Sequence, residues 1–452
     1  MQTNLAPFIK DTAEGKEANA ILRKCTHCGM CTATCPTYQL LGDELDGPRG
    51  RIYLIKQVLE GVTPTAKTQL HLDRCLTCRA CETTCPTGVR YGRLVDIGRH
   101  LVEERVARGP VESVWRGALD TVISNPSLFG PLLRMGQLTR PLLPTALKRK
   151  VPPPAAPAGS WPAATHARRM LVLEGCVQPS LSPATNAAAA RVLDRLGISL
   201  VRAAGAGCCG GVSFHLNLQE KALATMRRTI DAWWPHIEQG AEAIVITASG
   251  CGVTVRDYGH YLAQDPAYAA KATRVSELAR DISEVIIAEK DKLSSLIPHP
   301  STAASDASSQ DFNSSASAAL RATGGQIPAK ERGPSSAPRR APIPRQRIAF
   351  HSPCTLQHGM QLKGRVEELL DSLGYSLTEV PDAHLCCGSA GTYSILQPEL
   401  SQKLLANKIS ALASGAPSAI LTANIGCQAH LQTATELPVR HWIEALDDAL
   451  IR

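Results

Sequence analysis

The stretches CTHCGMCTATCP (residues 25–36) and CLTCRACETTCP (residues 75–86) decide how this chain folds. Each follows the pattern Cys-x2-Cys-x2-Cys-x3-Cys-Pro, and their first cysteines stand 50 positions apart. Three cysteines at i, i+3 and i+6 wrap a tight loop, so that three thiolates reach three irons of one cubane. The fourth, carried away by the proline behind it, ligates the other cluster. The spacing therefore predicts two [4Fe–4S] clusters. One is held by Cys25, Cys28, Cys31 and Cys85, the other by Cys75, Cys78, Cys81 and Cys35. Zinc knuckles are the competing reading of paired cysteines, but structural zinc sites use two close pairs, not an unbroken run of four ending in proline.

A chain of 452 residues is long for one domain and suggests two or three. Its 16 cysteines, clustered at ligand spacing in a chain whose N-terminus lacks a basic-then-apolar leader pattern, read as metal ligands in a reducing compartment. The expected location is cytoplasmic. No window approaches 18 uninterrupted apolar residues, so no membrane span is expected. A net charge of +8 with 4% aromatic residues gives little to bind or stack bases, and no nucleic-acid partner is expected.

The expected fold class is α+β and multidomain. Residues 1–110 form an α-helical ferredoxin-like domain, because GPRGRIYLIKQVLEGV between the runs spaces Ile52, Ile55, Val58 and Leu59 for a helix. Residues 111–168 form a helical, Pro-rich connector. From Gly130 to Lys150 its only charges are positive (Arg134, Arg140, Lys148, Arg149 and Lys150), a composition that suits either a membrane surface or packing on its own domain.

The remainder is duplicated. Cys176, Cys208 and Cys209 recur 178 positions on as Cys354, Cys386 and Cys387, and Cys251 recurs 176 positions on as Cys427. The copies, 169–290 and 346–452, flank a Ser/Ala/Pro-rich segment, 291–345, expected to be a disordered linker. Each copy alternates three apolar strands with helices, which implies a parallel sheet. Ligands bind beyond the carboxyl ends of such strands. The topology would therefore gather Cys176, Cys208, Cys209 and Cys251 at one edge and Cys354, Cys386, Cys387 and Cys427 at another. Converging thiolates repel, so each set is a candidate for an additional cluster. Gly205-Ala206-Gly207-Cys208-Cys209-Gly210 matches a dinucleotide fingerprint, but the duplicate AHLCCG lacks the first two glycines and Asp231 falls within a predicted helix, so no nucleotide site is expected.

Two ferredoxin runs followed by duplicated Cys-Cys-Gly modules resemble the iron–sulfur subunits of membrane-linked dehydrogenases. These include glycerol-3-phosphate dehydrogenase small subunits, lactate-utilisation proteins and heterodisulfide reductases. CTATCPTYQLLGDELDGPRGRIYLIKQVLEG, HLDRCLTCRACETTCPTGVRYG, TASGCG and HLCCGSAGTYS look most like the family of glycolate oxidase (glycolate dehydrogenase) iron–sulfur subunits. The resemblance implies that a partner flavoprotein oxidises glycolate to glyoxylate and that this chain, with no catalytic residue of its own, passes electrons toward a quinone. It also implies a peripheral place on the inner face of the cell membrane. Lactate, glycerol-3-phosphate and disulfide reduction are the alternatives within the resemblance. The modules depart from the fullest family pattern, which ends Cys-x2-Cys: Thr254 and His430 stand at the last position, and His430 is a candidate replacement for a thiolate.

Overall fold

The computed structural model of the chain describes residues 1–144, 148, 150–296 and 346–451. The N-terminal part is helical. Helix α1 (Ala13–Lys24) starts where the Thr12 hydroxyl accepts from Gly15 N–H. Helix α2 (Pro48–Leu59) follows the first cysteine run, with proline in its first turn, where the missing N–H is harmless. Ile52, Ile55, Val58 and Leu59 are all buried, as their spacing predicts, in one core with Leu94, Val95 and Val102. Helix α3 (Ala66–Asp73) leads into the second run, and α4 (Tyr91–Arg105) leaves it.

A buried ionic network ties these pieces together. Asp46 is fully buried and accepts from Arg74 at 2.8 Å, His71 at 3.0 Å and Arg51 at 3.4 Å. Its carbonyl accepts from the Thr37 hydroxyl, just past the first run, while Arg51 Nε donates to the His71 carbonyl. Removing one partner from such a network leaves an uncompensated buried charge at a cost of about 3–5 kcal/mol.

The connector begins with α5 (Pro110–Ile123) and α6 (Pro126–Thr139). On α5, Asp120 accepts from Ser213 and pairs with Lys221, so this helix docks on the first cysteine-rich module.

That module comprises β1 (Arg168–Val172), α7 (Pro183–Arg195), β2 (Ile198–Arg202), α8 (Gln219–Glu238), β3 (Ile244–Ile246), α9 (Ser249–Arg256), β4 (Ala279–Asp281) and α10 (Ile282–Ala288). The second module comprises β5 (Arg347–His351), α11 (Arg365–Ser372), β6 (Ser376–Leu377), α12 (Pro398–Ala413), β7 (Ala419–Thr422), α13 (Ile425–Gln432), β8 (Val439–His441) and α14 (Trp442–Ile451). The sheets run β2-β1-β3-β4 and β6-β5-β7-β8, and every pairing is parallel.

Three features differ from the sequence expectation. Each sheet has a fourth strand, only three residues long, too short to show a period of two. The helix expected at the start of the second module is broken into a π-helical turn, Thr355–Gly359, and α11, with left-handed backbone at Gln361 and Gly364 between them. A helix, Lys290–Leu296, also carries ordered structure beyond residue 291, where the linker was expected to begin. The rest of that segment lies outside the described residues.

Strand alternation sorts each sheet into two faces. Met170 and Val172 of β1 join Ile348, Phe350, Leu421 and Trp442 in one core shared by both modules, with α7 and α14 between the sheets. Leu171 and Leu173 face a second core private to the first module. Arg191 pairs with Asp447 at 2.7 Å across the shared interface. Deeper in the same interface, Ile443 N–H donates to His441 Nδ1 at 3.1 Å, so Nε2–H donates to the Thr247 carbonyl at 2.7 Å. Burial pushes the His441 pKa down to about 4. A histidine held neutral in this way contributes stability above its unfolded pKa near 6.5 and loses it as pH falls toward 4, by about 3 kcal/mol at most. Melting curves across that window are expected to fall less steeply with acidification in His441→Gln than in the unmodified protein; equal slopes would contradict the assignment.

Candidate metal centres

The two ferredoxin runs adopt the same loop. His27 and Gly29 in the first, and Thr77 and Arg79 in the second, all take left-handed backbone at corresponding positions. Three of these are not glycine, and such strain persists where the loop must aim its groups inward. Pro36 then starts a helix (Pro36–Leu41) that leads the chain away behind Cys35. The result is two hollows. Cys25, Cys28, Cys31 and Cys85 line the first, together with Cys81, which lines both. Cys35, Cys75, Cys78 and Cys81 line the second. The fourth cysteine of each run thus sits with the first three of the other.

The hollows differ electrostatically. Cys28 is exposed, and its thiol is held below its ordinary value by the Met30 N–H and the Thr26 hydroxyl. Burial works against Cys85, but Thr87 and the N–H groups of Gly88 and Val89 hold it low as well. In the second hollow burial, then the charge of Cys354, pushes Cys78 well up; burial, then Cys78, does the same to Cys81. Thr77 N–H and the Tyr91 hydroxyl donate to Cys75 sulfur. At least four sulfurs per hollow, with donors aimed at sulfur and mutual repulsion among the buried thiols, match the donor chemistry of a thiolate-held iron–sulfur cluster.

In the modules the cysteines stand past the carboxyl ends of the first three strands. Cys176 follows β1, Cys208 and Cys209 follow β2, and Cys251 lies in the first turn of α9 after β3. The strand order reverses between β1 and β3, which is where parallel sheets bind ligands. Cys208 takes hydrogen bonds from Cys176, Cys209 and Gly210 N–H, which hold it well below its ordinary value. Bonding to Cys208 drives Cys176 and Cys209 the other way. In the second module Cys354 and Cys386 sulfurs are 3.8 Å apart, Gly388 N–H donates to Cys386, and Asn424 donates to Cys427. Buried Lys408, bonded to the Asp382 carbonyl, places a positive charge near this set.

The glycine of each Cys-Cys-Gly turn is required by backbone geometry. Gly388 has φ +88, and a Cβ there would stand 2.7 Å from the Ser401 carbonyl. At Gly210, φ is +80 and the corresponding approach, to the Ala222 carbonyl, is 3.0 Å. Gly388→Ala is expected to cost about 1–3 kcal/mol and to lower metal retention in the second module; Gly210→Ala, with more room, should cost less. Equal, negligible effects on thermal stability and metal content would contradict this.

Two histidines matter here, and the sequence reading singled out only one of them, His430. Ser401 donates its hydroxyl to the Gly388 carbonyl, so His430 Nε2, 3.1 Å from that oxygen, donates to it. His430 therefore orients the Cys-Cys-Gly turn through Ser401. The histidine grouped with sulfur is His351, whose ligand atom lies within 4.8 Å of those of Cys387 and Cys427. Sequence reasoning missed it because it precedes Cys354 on a strand otherwise read as core. Asp43, Asp46 and His71 also converge, but Arg51 and Arg74 already engage Asp46.

The second hollow and the second module adjoin. Leu76, Cys78, Cys354, Cys386 and Tyr393 pack in one apolar cluster, and the Tyr393 hydroxyl donates to the Arg74 carbonyl beside Cys75. Arg79 and Arg93 both pair with Asp257 of the first module.

A family model described as a 4Fe-4S dicluster domain matches residues 21–89, and one described as a cysteine-rich domain matches residues 170–256 and 348–432. The chain is 52% identical to the glycolate oxidase iron-sulfur subunit of Escherichia coli (strain K12), over 100% of this chain and 99% of that one. The chain belongs to the glycolate oxidase iron–sulfur subunit family. A probable glycolate oxidase iron-sulfur subunit of Bacillus subtilis (strain 168) is 27% identical, over 92% of this chain and 89% of the relative. Lactate utilization protein A of Bacillus velezensis is 22% identical over 53% of this chain and 80% of its own length. A 4Fe–4S dicluster domain thus precedes two cysteine-rich modules, and the chain is an iron–sulfur protein.

Proposed function

We propose that this chain carries electrons from a flavoprotein partner, which oxidises glycolate to glyoxylate, toward a quinone at a membrane surface. The observation that carries the reading is the packing of Cys78 against Cys354 and Cys386, which joins the ferredoxin domain to the second module. Cys25, Cys28, Cys31 and Cys85 would hold one cubane, and Cys75, Cys78, Cys81 and Cys35 the other. Bound there, a cubane supplies one-electron capacity, which a flavin partner needs in order to pass on the electron pair of a 2-hydroxy acid. The residues around it set its surroundings. Buried Leu76 lines the second hollow, whereas exposed Cys28 and half-exposed Met30 line the first, where a partner could approach.

Disulfide reduction at the modules is less well supported, because Thr254 and His430 occupy the positions where the fullest pattern carries cysteine, and His430 is engaged by Ser401. With the flavoprotein present, Cys28→Ser and Cys78→Ser are each expected to lower glycolate-driven reduction of a quinone analogue by about 100-fold or more. Reduction of the partner's flavin by glycolate should persist. Acceptor reduction surviving both changes would contradict the relay.

The connector supports a place on the inner face of the membrane. No helix among the described residues is long and apolar enough to cross a membrane. Yet Val111 and Trp115 on α5, Met135 and Leu138 on α6, and Leu142 beyond it are exposed, Leu138 and Leu142 at 82% and 86%. Arg134, Arg140 and Lys150 flank them, which suits an anionic lipid surface. Burying a leucine contributes about 1.5–3 kcal/mol, so Leu138→Glu with Leu142→Glu should weaken cosedimentation with anionic vesicles by more than about tenfold at unchanged iron content. Undiminished binding would rule out this face.

A further inference from the structure

The two modules share a sulfur plan but differ at the strand ends beneath it. In the first, Leu173 follows β1 and Ile246 closes β3, and both are buried and apolar. The offsets that relate Cys176 to Cys354 and Cys251 to Cys427 carry Leu173 to His351 and Ile246 to Thr422. The latter two are register partners across β5 and β7, and His351 Nδ1 is hydrogen-bonded to Thr422 Oγ1 at 2.9 Å. One copy thus has an apolar pair and the other a buried polar pair at the same place. Polar groups are costly there unless each has a partner.

Thr422 satisfies one ring nitrogen. Nε2 is then the nitrogen left for a ligand bond, and an outer hydroxyl on the other nitrogen is the arrangement that fixes the tautomer of a metal-bound histidine. One ligand atom from each of His351, Cys387 and Cys427 lies within 4.8 Å of the other two, near enough for a single metal to reach all three. The same strand ends in the first module offer sulfur alone.

We propose that His351 is a nitrogen ligand of the metal centre in the second module, beside Cys387 and Cys427. The two modules then hold different centres: thiolate-only in the first, mixed imidazole–thiolate in the second. The ligand class is a borderline transition metal, iron within a cluster or zinc, since both accept imidazole and thiolate together. For iron, a neutral imidazole in place of an anionic thiolate raises the reduction potential, as in Rieske centres. The centre next to Cys78 would then draw electrons onward. This inference rests on the reading that the second module binds metal.

The test uses the full chain purified anaerobically, with iron, zinc and acid-labile sulfide measured per chain and the iron centres titrated by electron paramagnetic resonance. The double variant His351→Leu/Thr422→Ile restores the apolar pair of the first module and so preserves packing. The unmodified chain is expected to hold metal beyond the about eight irons of two cubanes. The double variant should lose at least half of that excess while keeping both cubane signals and its melting transition. His351→Cys should keep the metal and, where it is iron, shift its midpoint to lower potential. Should the double variant fail to fold, His351→Cys decides alone through that shift, or for zinc through replacement of the metal–nitrogen signature by sulfur in X-ray absorption. A full excess with unshifted properties in the variants overturns the inference and leaves the relay standing. No excess metal in the unmodified chain also overturns it. Absence of the cubanes themselves would instead overturn the electron-transfer reading.

Discussion

Thiolates that must converge repel one another, and here each cysteine run shares its hollow with the fourth cysteine of the other. The hollow built by Cys25, Cys28 and Cys31 is closed by Cys85, and the one built by Cys75, Cys78 and Cys81 is closed by Cys35. Each hollow is therefore lined by residues of both runs. The rest of the N-terminal domain serves that arrangement. Helix α2 spans the gap between the runs, and the buried Asp46 network ties Thr37, which follows one run, to His71 and Arg74, which precede the other. Burying several charges is expensive, and geometry of this quality, with every charge paired, is what lets the cost be met.

The same constraint shapes the C-terminal half by a different route. Parallel strands deliver sulfurs to a common edge, and the reversal of strand order between β1 and β3, and between β5 and β7, opens a space for them. Duplication adds a shared core: Met170, Val172, Ile348 and Phe350 lie on facing sheets packed through α7 and α14. One rigid body therefore carries two sulfur sites, but only the second lies against Cys78. Both modules touch the ferredoxin domain, but they differ in which sulfur site lies beside Cys78, and the second also carries His351 and buried Lys408.

Much of this was legible in the chain. The cysteine spacing alone pairs the runs crosswise, the constant offset between copies reveals the duplication, and apolar runs ending in cysteine predict sulfurs at parallel strand ends. What escaped has physical causes. The strands Ala279–Asp281 and Val439–His441 are too short for periodicity to register. His351 looks like one more strand residue until β5 is paired with β7, whereas His430 sits at a ligand position in the pattern but is held by Ser401. The apolar residues of α6 read equally well as core or as surface, and only tertiary packing distinguishes the two.

The crosswise closure is tested most directly by electron paramagnetic resonance of the reduced, anaerobically purified chain carrying single Cys→Ser changes at the fourth positions. Cys85→Ser is expected to perturb the same cubane signal as Cys28→Ser, and Cys35→Ser the same signal as Cys78→Ser. If Cys85→Ser instead altered the signal that Cys78→Ser alters, each run would be closing its own cluster and the account would be wrong.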